Sequence, residues 1–390
     1  MLLLKNAMIY PQTHEAPFVG DVLCGGGKIV KVGENLTTEG ADIMDLSGLN
    51  LLPGLVDSHS HAGLAPGGMI SSLPYGTDTS DPVSPEMEPI YSADPTNPVY
   101  GHALENGVTT LGILPGSSDV IDGRGFAART WGSDIFEMCL KRPMCLKLSL
   151  GENPKGVFQG QRREPDSRMG VTFILEEFFA DAKAYMDAKE RGENIERNEK
   201  FEAAIPVLKR EIPARIHCTH NDMISAIQCL TKYGVRFTIE HAWGATRYLD
   251  EIAASGCGIV FGPIGGRKSF YESRFVDIEA VGMLDKMGTE CCLTVDSPLE
   301  GLDALVSHME QAVREGADPL RVLRMVTIHP AKVLGLEERI GTIEAGKDAN
   351  FAVFKGLPGR DMGAHVVCTI GEGDVKYMRA GGDVNGKIRL

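Results

Sequence analysis

The sequence predicts an α/β protein in which parallel strands and helices alternate around a barrel, beside a small β-domain assembled from both chain ends. With 390 residues the chain is long enough for one barrel and a small second domain. Its centre alternates apolar, strand-like runs with helical patterns, which is typical of β/α units. Both ends instead contain short strands between glycine-rich turns, and neither has enough apolar sequence for its own core.

The small domain is expected to combine strands from the two ends of the chain. The strand patterns lie at Leu2–Tyr10, Asp21–Leu23, Lys28–Val32, Phe351–Phe354 and Val375–Arg379. We therefore assign residues 1–52 and 345–390 to the small domain and residues 53–344 to the barrel.

Seven barrel strands are recognised from apolar runs, namely Leu51–Val56, Val108–Leu114, Met144–Leu150, Ala214–His217, Phe237–Ile239, Gly258–Phe261 and Cys291–Val295. The eighth is expected near Phe126–Thr130 or within 131–143. Helical patterns cover Phe178–Ala188, Met223–Lys232, Ala304–Glu315 and Leu320–Thr327. Two insertions, at residues 62–100 and 151–200, interrupt this alternation, and long loops after barrel strands usually carry function.

The composition excludes several classes of partner. The chain has 39 basic and 53 acidic side chains, a net charge of −14, so we expect no basic face for nucleic acid or an anionic membrane. No apolar run approaches the roughly 20 residues that span a bilayer, and the N-terminus lacks the features of a signal peptide. The nine cysteines are scattered without a C-x-x-C pair, as in reduced proteins. These features predict a cytoplasmic protein.

The distribution of histidines predicts a metal site. His59 and His61 follow the first barrel strand two residues apart, so both rings point to the same side. His217, His241 and Asp296 each end a later strand, and barrel sites are built at these carboxyl ends. A pair of solvated loop histidines would explain His59 and His61 alone, but not four strands that each end in a ligand-type residue. We therefore predict a divalent-metal centre.

Lys147 is a further candidate ligand. In the strand around it the leucines occupy one face, which turns Lys147 toward the barrel interior, where an unpaired ammonium is costly. Reaction of the neutral amine with CO2 would give a carboxylated lysine, an anionic ligand able to bridge two ions. The alternatives are a lysine paired with an acid, and Glu152 as the bridging ligand. We favour Lys147 over Glu152.

These residues lie in motifs that resemble those of the metal-dependent amidohydrolase superfamily, in the branch related to imidazolonepropionase. The resemblance covers nearly the whole chain. It is carried by segments 53–61 (Pro-Gly-Leu-Val-Asp-Ser-His-Ser-His), 106–110, 147–155, 215–217, 239–241, 294–296, 327–336 and 341–350.

The resemblance implies a (β/α)8 TIM barrel with a composite β-sandwich formed by both chain termini. By position, His59 and His61 correspond to ligands of the more buried ion, with Asp296 beside them. His217 and His241 correspond to ligands of the second ion, and Lys147 to the bridging carbamate. Members differ in whether they hold one ion or two. We expect zinc, as one or two ions, although manganese, iron and nickel accept the same ligands.

The predicted chemistry is hydrolysis of an amide or cyclic-amide C–N bond of a small molecule. A metal-activated hydroxide would attack the carbon, and Asp296 would act as general base and then as general acid. His220 is expected to bind substrate or an oxyanion, with a loop role as its alternative. Arg267 and Lys268 are expected at the barrel mouth, where they would seat a substrate carboxylate and favour an anionic substrate.

There are two alternatives to this function. An aminohydrolase that deaminates a heterocycle would use the same ligands, usually with one ion. A non-catalytic scaffold would have lost ligands, whereas His59, His61, His217, His241 and Asp296 are all present. We therefore predict a hydrolase of C–N bonds other than peptide bonds, with dipeptides as a further substrate class, and we expect a homo-oligomer.

Overall fold

The computed structural model describes residues 1–13, 16–64, 76–265, 271–381 and 385–386. Their strands form two separate sheets, one built from both ends of the chain and one from its centre. Helices surround the central sheet. This architecture confirms the predicted α/β fold class, with a sheet-rich domain formed by the termini.

The terminal sheet has nine strands, with the order β16-β15-β14-β5-β1-β2-β3, and with β4 between β1 and β17. Their bounds are β1 Leu2–Ile9, β2 Phe18–Gly25, β3 Lys28–Gly33, β4 Asp42–Asp45, β5 Asn50–Pro53, β14 Phe351–Lys355, β15 His365–Gly371, β16 Asp374–Met378 and β17 Asn385–Gly386. Strand β14 pairs with β5 in antiparallel register, with Phe351 opposite Pro53. The two ends of the chain are therefore interleaved.

One buried cluster fills the terminal sheet, and it takes residues from both ends. Leu4, Val22 and Leu51 pack with Phe351 and Val353, and all five are fully buried. Each chain end has too few apolar residues for a core of its own, and the two ends together form a single core. The domain boundaries at residues 53 and 345 stay predictions.

The central sheet has eight strands in the chain order β6 to β13. They are β6 Leu55–Ser60, β7 Val108–Ile113, β8 Ile121–Arg129, β9 Cys139–Ser149, β10 Ala214–Cys218, β11 Phe237–His241, β12 Gly258–Phe261 and β13 Cys291–Leu293. Most are buried throughout, as expected for strands covered on both faces.

The eighth strand, β8, overlaps the first of its two predicted positions, Phe126–Thr130. It does not run parallel to its neighbours, as a strand of a regular β/α unit would. Strand β8 is antiparallel to both neighbours, β7 and β9. The connection from Ile113 to Ile121 is too short for a parallel crossover, which needs about a dozen residues or more. The other pairings, β6 with β7 and β9 through β13, are parallel.

The barrel is closed by irregular backbone between its end strands. The amide of Leu293 in β13 donates to the carbonyl oxygen of Met325 at 3.0 Å, and that of Val56 in β6 donates to Val326 at 2.8 Å. The helix predicted at Leu320–Thr327 accordingly covers only Arg321–Arg324, because the next two residues bond to these strands.

Eleven α-helices lie in the part of the chain that the structure describes. They are α1 Val99–Glu105, α2 Ile135–Met138, α3 Glu152–Gly160, α4 Arg168–Glu190, α5 Glu199–Leu208, α6 Asp222–Lys232, α7 Leu249–Ser255, α8 Glu279–Lys286, α9 Ala304–Arg314, α10 Arg321–Arg324 and α11 Ile328–Leu334. None of these described helices has both the length and the apolar character needed to cross a bilayer.

Helix α4 begins ten residues before the predicted Phe178. The Ser167 side chain accepts a hydrogen bond from the amide of Gly170 and caps the first turn. Buried residues such as Val171 and Leu175 continue the apolar face toward this start. Part of the predicted insertion at residues 151–200 is thus an amphipathic helix.

We expect Phe351→Ala to destabilise the protein by about 3–5 kcal/mol, because it empties a fully buried position between the two chain ends. The free energy of unfolding from a urea titration measures this. Phe173→Ala on α4 is the matched control, since that ring is 63% exposed. Equal effects of the two substitutions would contradict a packed core shared by the chain ends.

Candidate metal centre

The first pair of predicted ligands lies at the carboxyl end of β6. His59 and His61 leave the strand on the same side, with ring centroids 5.5 Å apart. His59 Nδ1 lies 2.7 Å from Glu240 Oε2, and His61 Nδ1 lies 2.8 Å from the carbonyl oxygen of Leu114. Because these oxygens accept, each neutral ring donates through Nδ1 and presents the lone pair of Nε2 to the barrel mouth.

Asp296 follows β13 and faces both rings. Its Oδ1 lies 3.5 Å from His59 Nε2 and 3.3 Å from His61 Nε2. One ligand atom from each of the three residues lies within 4.8 Å of the other two. Among the described residues, His59 Nε2 and Asp296 Oδ1 are buried without a hydrogen-bond partner. Acceptor atoms that converge in a buried space repel one another unless a cation lies between them, so this group fits a divalent ion.

Two further histidines adjoin this group. His217 lies in β10 and His241 ends β11, and their ring centroids are 4.3 Å apart. The His241 ring is 4.8 Å from that of His59, and its Nδ1 is 4.0 Å from Asp296 Oδ2. His241 Nδ1 donates to the carbonyl oxygen of Gly262 at 2.7 Å, which leaves Nε2 free. The structure thus brings the five strand-end residues into one cluster.

The backbone around this cluster is strained. Four non-glycine residues at or just after the ends of barrel strands have φ values in the left-handed region, with 50° at His220, 69° at His241, 51° at Ala242 and 54° at Asp296. Such conformations cost about 1–3 kcal/mol each and persist only where surrounding contacts impose them. Strain of this kind clusters at functional sites, because it places side chains where relaxed backbone would not.

Asp57 holds the two loops that carry these ligands together. Its carboxylate accepts from Thr294 Oγ1 at 2.7 Å, from the amide of Val295 at 3.1 Å and from the amide of His59 at 3.0 Å. Burial raises the pKa of Asp57 to about 6, while these hydrogen bonds oppose the rise. The end of β6 and the residues after β13 are therefore fixed relative to each other.

Lys147 lies inside the barrel and is fully buried. Its Nζ donates to Ser117 Oγ at 2.6 Å and to Ser149 Oγ at 3.4 Å, and Ser149 in turn donates to Asp122 at 2.6 Å. Burial lowers the pKa of Lys147, although nearby carboxylates, Asp122 foremost, oppose this. Across the described residues Lys147 forms no ion pair within 4.0 Å, so the alternative of a directly paired lysine does not match its surroundings.

Glu152, the other candidate for a bridging ligand, has different surroundings. It opens α3, where its Oε2 accepts from Lys155 Nζ at 2.9 Å and its Oε1 lies 3.6 Å from Arg168 Nη1. Its side chain is 30% exposed. Two cations thus already neutralise the Glu152 carboxylate.

Of the three predicted substrate-binding residues, the structure describes His220. The His220 ring stacks on Phe275 with centroids 4.3 Å apart, and its Nε2 is buried without a hydrogen-bond partner among the described residues. Arg267 and Lys268 lie outside the described residues. Their expected contact with a substrate carboxylate stays a prediction.

Two carboxylates that the sequence analysis did not assign contact the ligands. Glu240 is fully buried and accepts from Arg215 Nε at 2.9 Å as well as from His59. Glu272, in the turn Tyr271–Phe275, lies 3.3 Å from His217 Nε2. Glu240 could have been identified from the sequence, since a charged residue inside a buried strand needs a partner. No local feature of the sequence identifies Glu272, because it contacts His217 only in the folded structure.

The surroundings keep His59 and His241 neutral and Asp296 ionised. Burial lowers the pKa of His59 well below its usual value, and burial lowers the pKa of His241 to about 4. Burial alone would raise the pKa of Asp296, but its contact with His61 and the proximity of the His59 and His241 rings lower it. Neutral imidazole and ionised carboxylate are the forms that bind a metal.

A cavity of about 750 Å³ opens above this cluster. His61, His217, His241 and Asp296 lie in its wall, together with Glu152, Lys155, Trp243 and Glu272. Its size suits a small molecule, for which pockets measure about 300–1,000 Å³. The fold and the site together define a barrel protein with a group of residues at its mouth that fits a divalent metal ion.

Comparison with known proteins identifies the family. The amidohydrolase family profile matches residues 274–388. The crystal structure of an amidohydrolase from Thermotoga maritima is 35% identical, with a TM-score of 0.92, and the match covers 97% of this chain and all of that one. The chain belongs to the amidohydrolase family, whose members are hydrolases that act on C–N bonds.

Two curated relatives extend this similarity. Amidohydrolase tasK of Hapsidospora irregularis is 26% identical over 91% of this chain, but this chain spans only 41% of that protein. Imidazolonepropionase of Thermoplasma acidophilum is 24% identical, over 92% of this chain and 89% of the relative. The family resemblance seen in the sequence motifs is thereby confirmed.

We expect Arg215→Ala to destabilise the protein by about 3–5 kcal/mol, because it leaves the buried Glu240 carboxylate without its cation. Chemical denaturation of the metal-free protein measures this without a contribution from bound ions. Arg197→Ala is the matched control, since Arg197 and Glu199 form an exposed pair, and we expect no measurable change there. A similar response of both variants would show that Glu240 does not depend on Arg215.

Proposed function

We propose that this chain hydrolyses an amide or cyclic-amide C–N bond of a small molecule, with a divalent-metal centre held by His59, His61, His217, His241 and Asp296. The observation that carries this is the convergence of the buried lone pairs of His59 Nε2 and Asp296 Oδ1 at the floor of the cavity. Zinc suits a ligand set of imidazoles and carboxylate, and the adjoining His217 and His241 supply a place for a second ion.

A bound divalent ion supplies a Lewis acid that polarises a carbonyl and makes water acidic enough to react near neutral pH. Asp296 accepts the proton of the attacking water as the new C–O bond forms. It then donates that proton to the leaving nitrogen as the C–N bond breaks, which leaves the carboxylate ionised for the next cycle. His220 is proposed to bind the substrate: its Nδ1 faces the acceptor Asn221 Oδ1, so its Nε2, which has no partner in the described structure, can accept from a substrate N–H or O–H.

Lys147 is proposed to carry a carbamate that bridges two ions. The neutral amine attacks CO2, a C–N bond forms and one proton is released to solvent, which yields an anionic oxygen ligand. Support comes from its complete burial inside the barrel and from the absence of an ion pair to it within the described ranges. A two-ion centre of this kind favours amide hydrolysis over deamination of a heterocycle, which usually needs one ion.

The charge of the substrate depends on cations at the mouth. Lys155 lines the cavity but pairs with Glu152, and Arg168 pairs with Asp222. We propose an anionic substrate on the sequence position of Arg267 and Lys268, which follow β12. The nine cysteines all lie in described segments and are free thiols, which supports a reducing compartment such as the cytoplasm. A homo-oligomer stays a proposal.

The substrate class is tested by assaying metal-loaded protein with N-acyl amino acids, dipeptides and cyclic amides. In this assay Asp296→Asn is expected to lower kcat by about 10²–10⁴-fold, because the amide cannot take the proton from water. Metal content should be largely retained, since His59, His61 and the other imidazoles remain.

Asp303→Asn is the matched control, because Asp303 lies seven positions further along and its side chain is 67% exposed. It should leave kcat unchanged. Undiminished turnover by Asp296→Asn would rule out its role as the proton acceptor. Ammonia release from heterocyclic amines, with no hydrolysis of amides, would instead identify a deaminase.

The carbamate is tested with metal-free protein reconstituted in CO2-depleted buffer. We expect little recovery of activity there and full recovery on addition of bicarbonate, because the bridging ligand must form first. Lys147→Met should abolish this response, and native mass spectrometry should show the loss of one CO2 adduct. Lys183→Met, on the exposed face of α4, is the control. Recovery that is independent of bicarbonate would contradict the carbamate.

A further inference from the structure

His217 is held differently from the other three ligand histidines. His59, His61 and His241 each donate through Nδ1 and present Nε2. In His217 the order is reversed, because Nε2 lies 3.3 Å from Glu272 Oε2, while Nδ1 is buried without a hydrogen-bond partner among the described residues. Since a carboxylate accepts, His217 donates through Nε2 and directs the lone pair of Nδ1 into the cluster.

Glu272 reaches His217 from outside the barrel strands. It lies in the short turn Tyr271–Phe275, after β12, and its side chain is only 11% exposed. Its second oxygen, Oε1, accepts from the backbone amide of Glu152 at 3.0 Å. One carboxylate thus connects the ligand on β10 with the first residue of α3, where the free amides of a helix favour negative charge.

Gly151, the residue before α3, leaves room for the Glu272 carboxylate. Gly151 has a φ of 87°, and a Cβ there would lie 2.3 Å from Glu272 Oε1 and 3.0 Å from Asp222 Oδ2. A side chain at this position would displace Glu272. The segment 147–155, one of the motifs that carry the family resemblance, thus contains at Gly151 the seat of a carboxylate that contacts a predicted ligand.

We propose that Glu272 is a positioning residue for the second metal ion, and that Gly151 and the Glu152 amide form its seat. Glu272 fixes the His217 tautomer in which Nδ1 is the ligand, and the carboxylate raises the basicity of that ring. This inference rests on the proposed metal centre. It adds that occupancy of the subsite at His217 and His241 depends on a turn outside the barrel, whereas the subsite at His59, His61 and Asp296 does not.

The test measures zinc binding by the full-length metal-free protein at buffered free zinc concentrations, with competing chelators. Wild type should bind two ions. Glu272→Ala should weaken the second by about 10–100-fold and leave the affinity for the first unchanged. Glu272→Gln, whose amide oxygen still accepts from Nε2, should retain more of the second affinity than Glu272→Ala.

Gly151→Ala should reproduce the loss, because its methyl group displaces the carboxylate without removing it. Gly192→Ala, just after α4, is the matched control, since Gly192 also has a positive φ of 74° and an added Cβ there would meet nothing within 4 Å in the described structure. Circular dichroism and the Tm of each metal-free variant establish that it is folded.

The outcomes separate this inference from the proposed function. Two ions bound with unchanged affinity by folded Glu272→Ala and Gly151→Ala would overturn the role of Glu272 and leave the hydrolase proposal intact. One ion bound by wild type, with its affinity unaffected by His217→Ala, would also overturn it, because there would be no second ion to position. No zinc bound by wild type would overturn the proposed metal centre itself.

Discussion

The arrangement at the barrel mouth depends on a carboxylate without access to solvent. Glu240 accepts hydrogen bonds from Arg215, Thr238 and His59, which belong to three different strands. A buried anion of this kind is tolerable only when a cation and hydrogen bonds replace its hydration. Arg215 supplies the cation, and its Nη1 also donates to the carbonyl oxygen of Ser58 at 2.5 Å, so the same guanidinium holds the backbone beside a ligand.

The consequence of this pairing is chemical as well as structural. Because His59 Nδ1 donates to Glu240, only Nε2 is available toward Asp296. Rotation of the ring would remove a hydrogen bond from the buried Glu240 carboxylate. The positive φ values at His241 and Asp296 are maintained against their cost by similar contacts. The site is therefore organised before an ion or substrate binds, which reduces the free energy that binding must supply.

The sequence predicted much of this because strand ends are local features. A period-two apolar run ends where its side chains become polar, so His217, His241 and Asp296 could be assigned to one edge of a sheet without coordinates. The direction of β8 was not predicted, because burial is the same for parallel and antiparallel strands. The connection between β7 and β8 is the feature that indicates the antiparallel direction, because it is too short for a parallel crossover. Glu272 lies 55 positions from His217 along the chain, and no periodicity relates two residues that meet only after folding.

The interleaving of the chain ends has a consequence for biosynthesis. Roughly 300 residues separate Pro53 from Phe351, its partner in the terminal sheet, so at 5–20 residues per second the edge of β5 emerges about 15–60 s before β14 exists. During that interval the N-terminal strands present an unpaired edge, which is a template for strands of other nascent chains. The terminal sheet can therefore be completed only after the whole barrel has been synthesised.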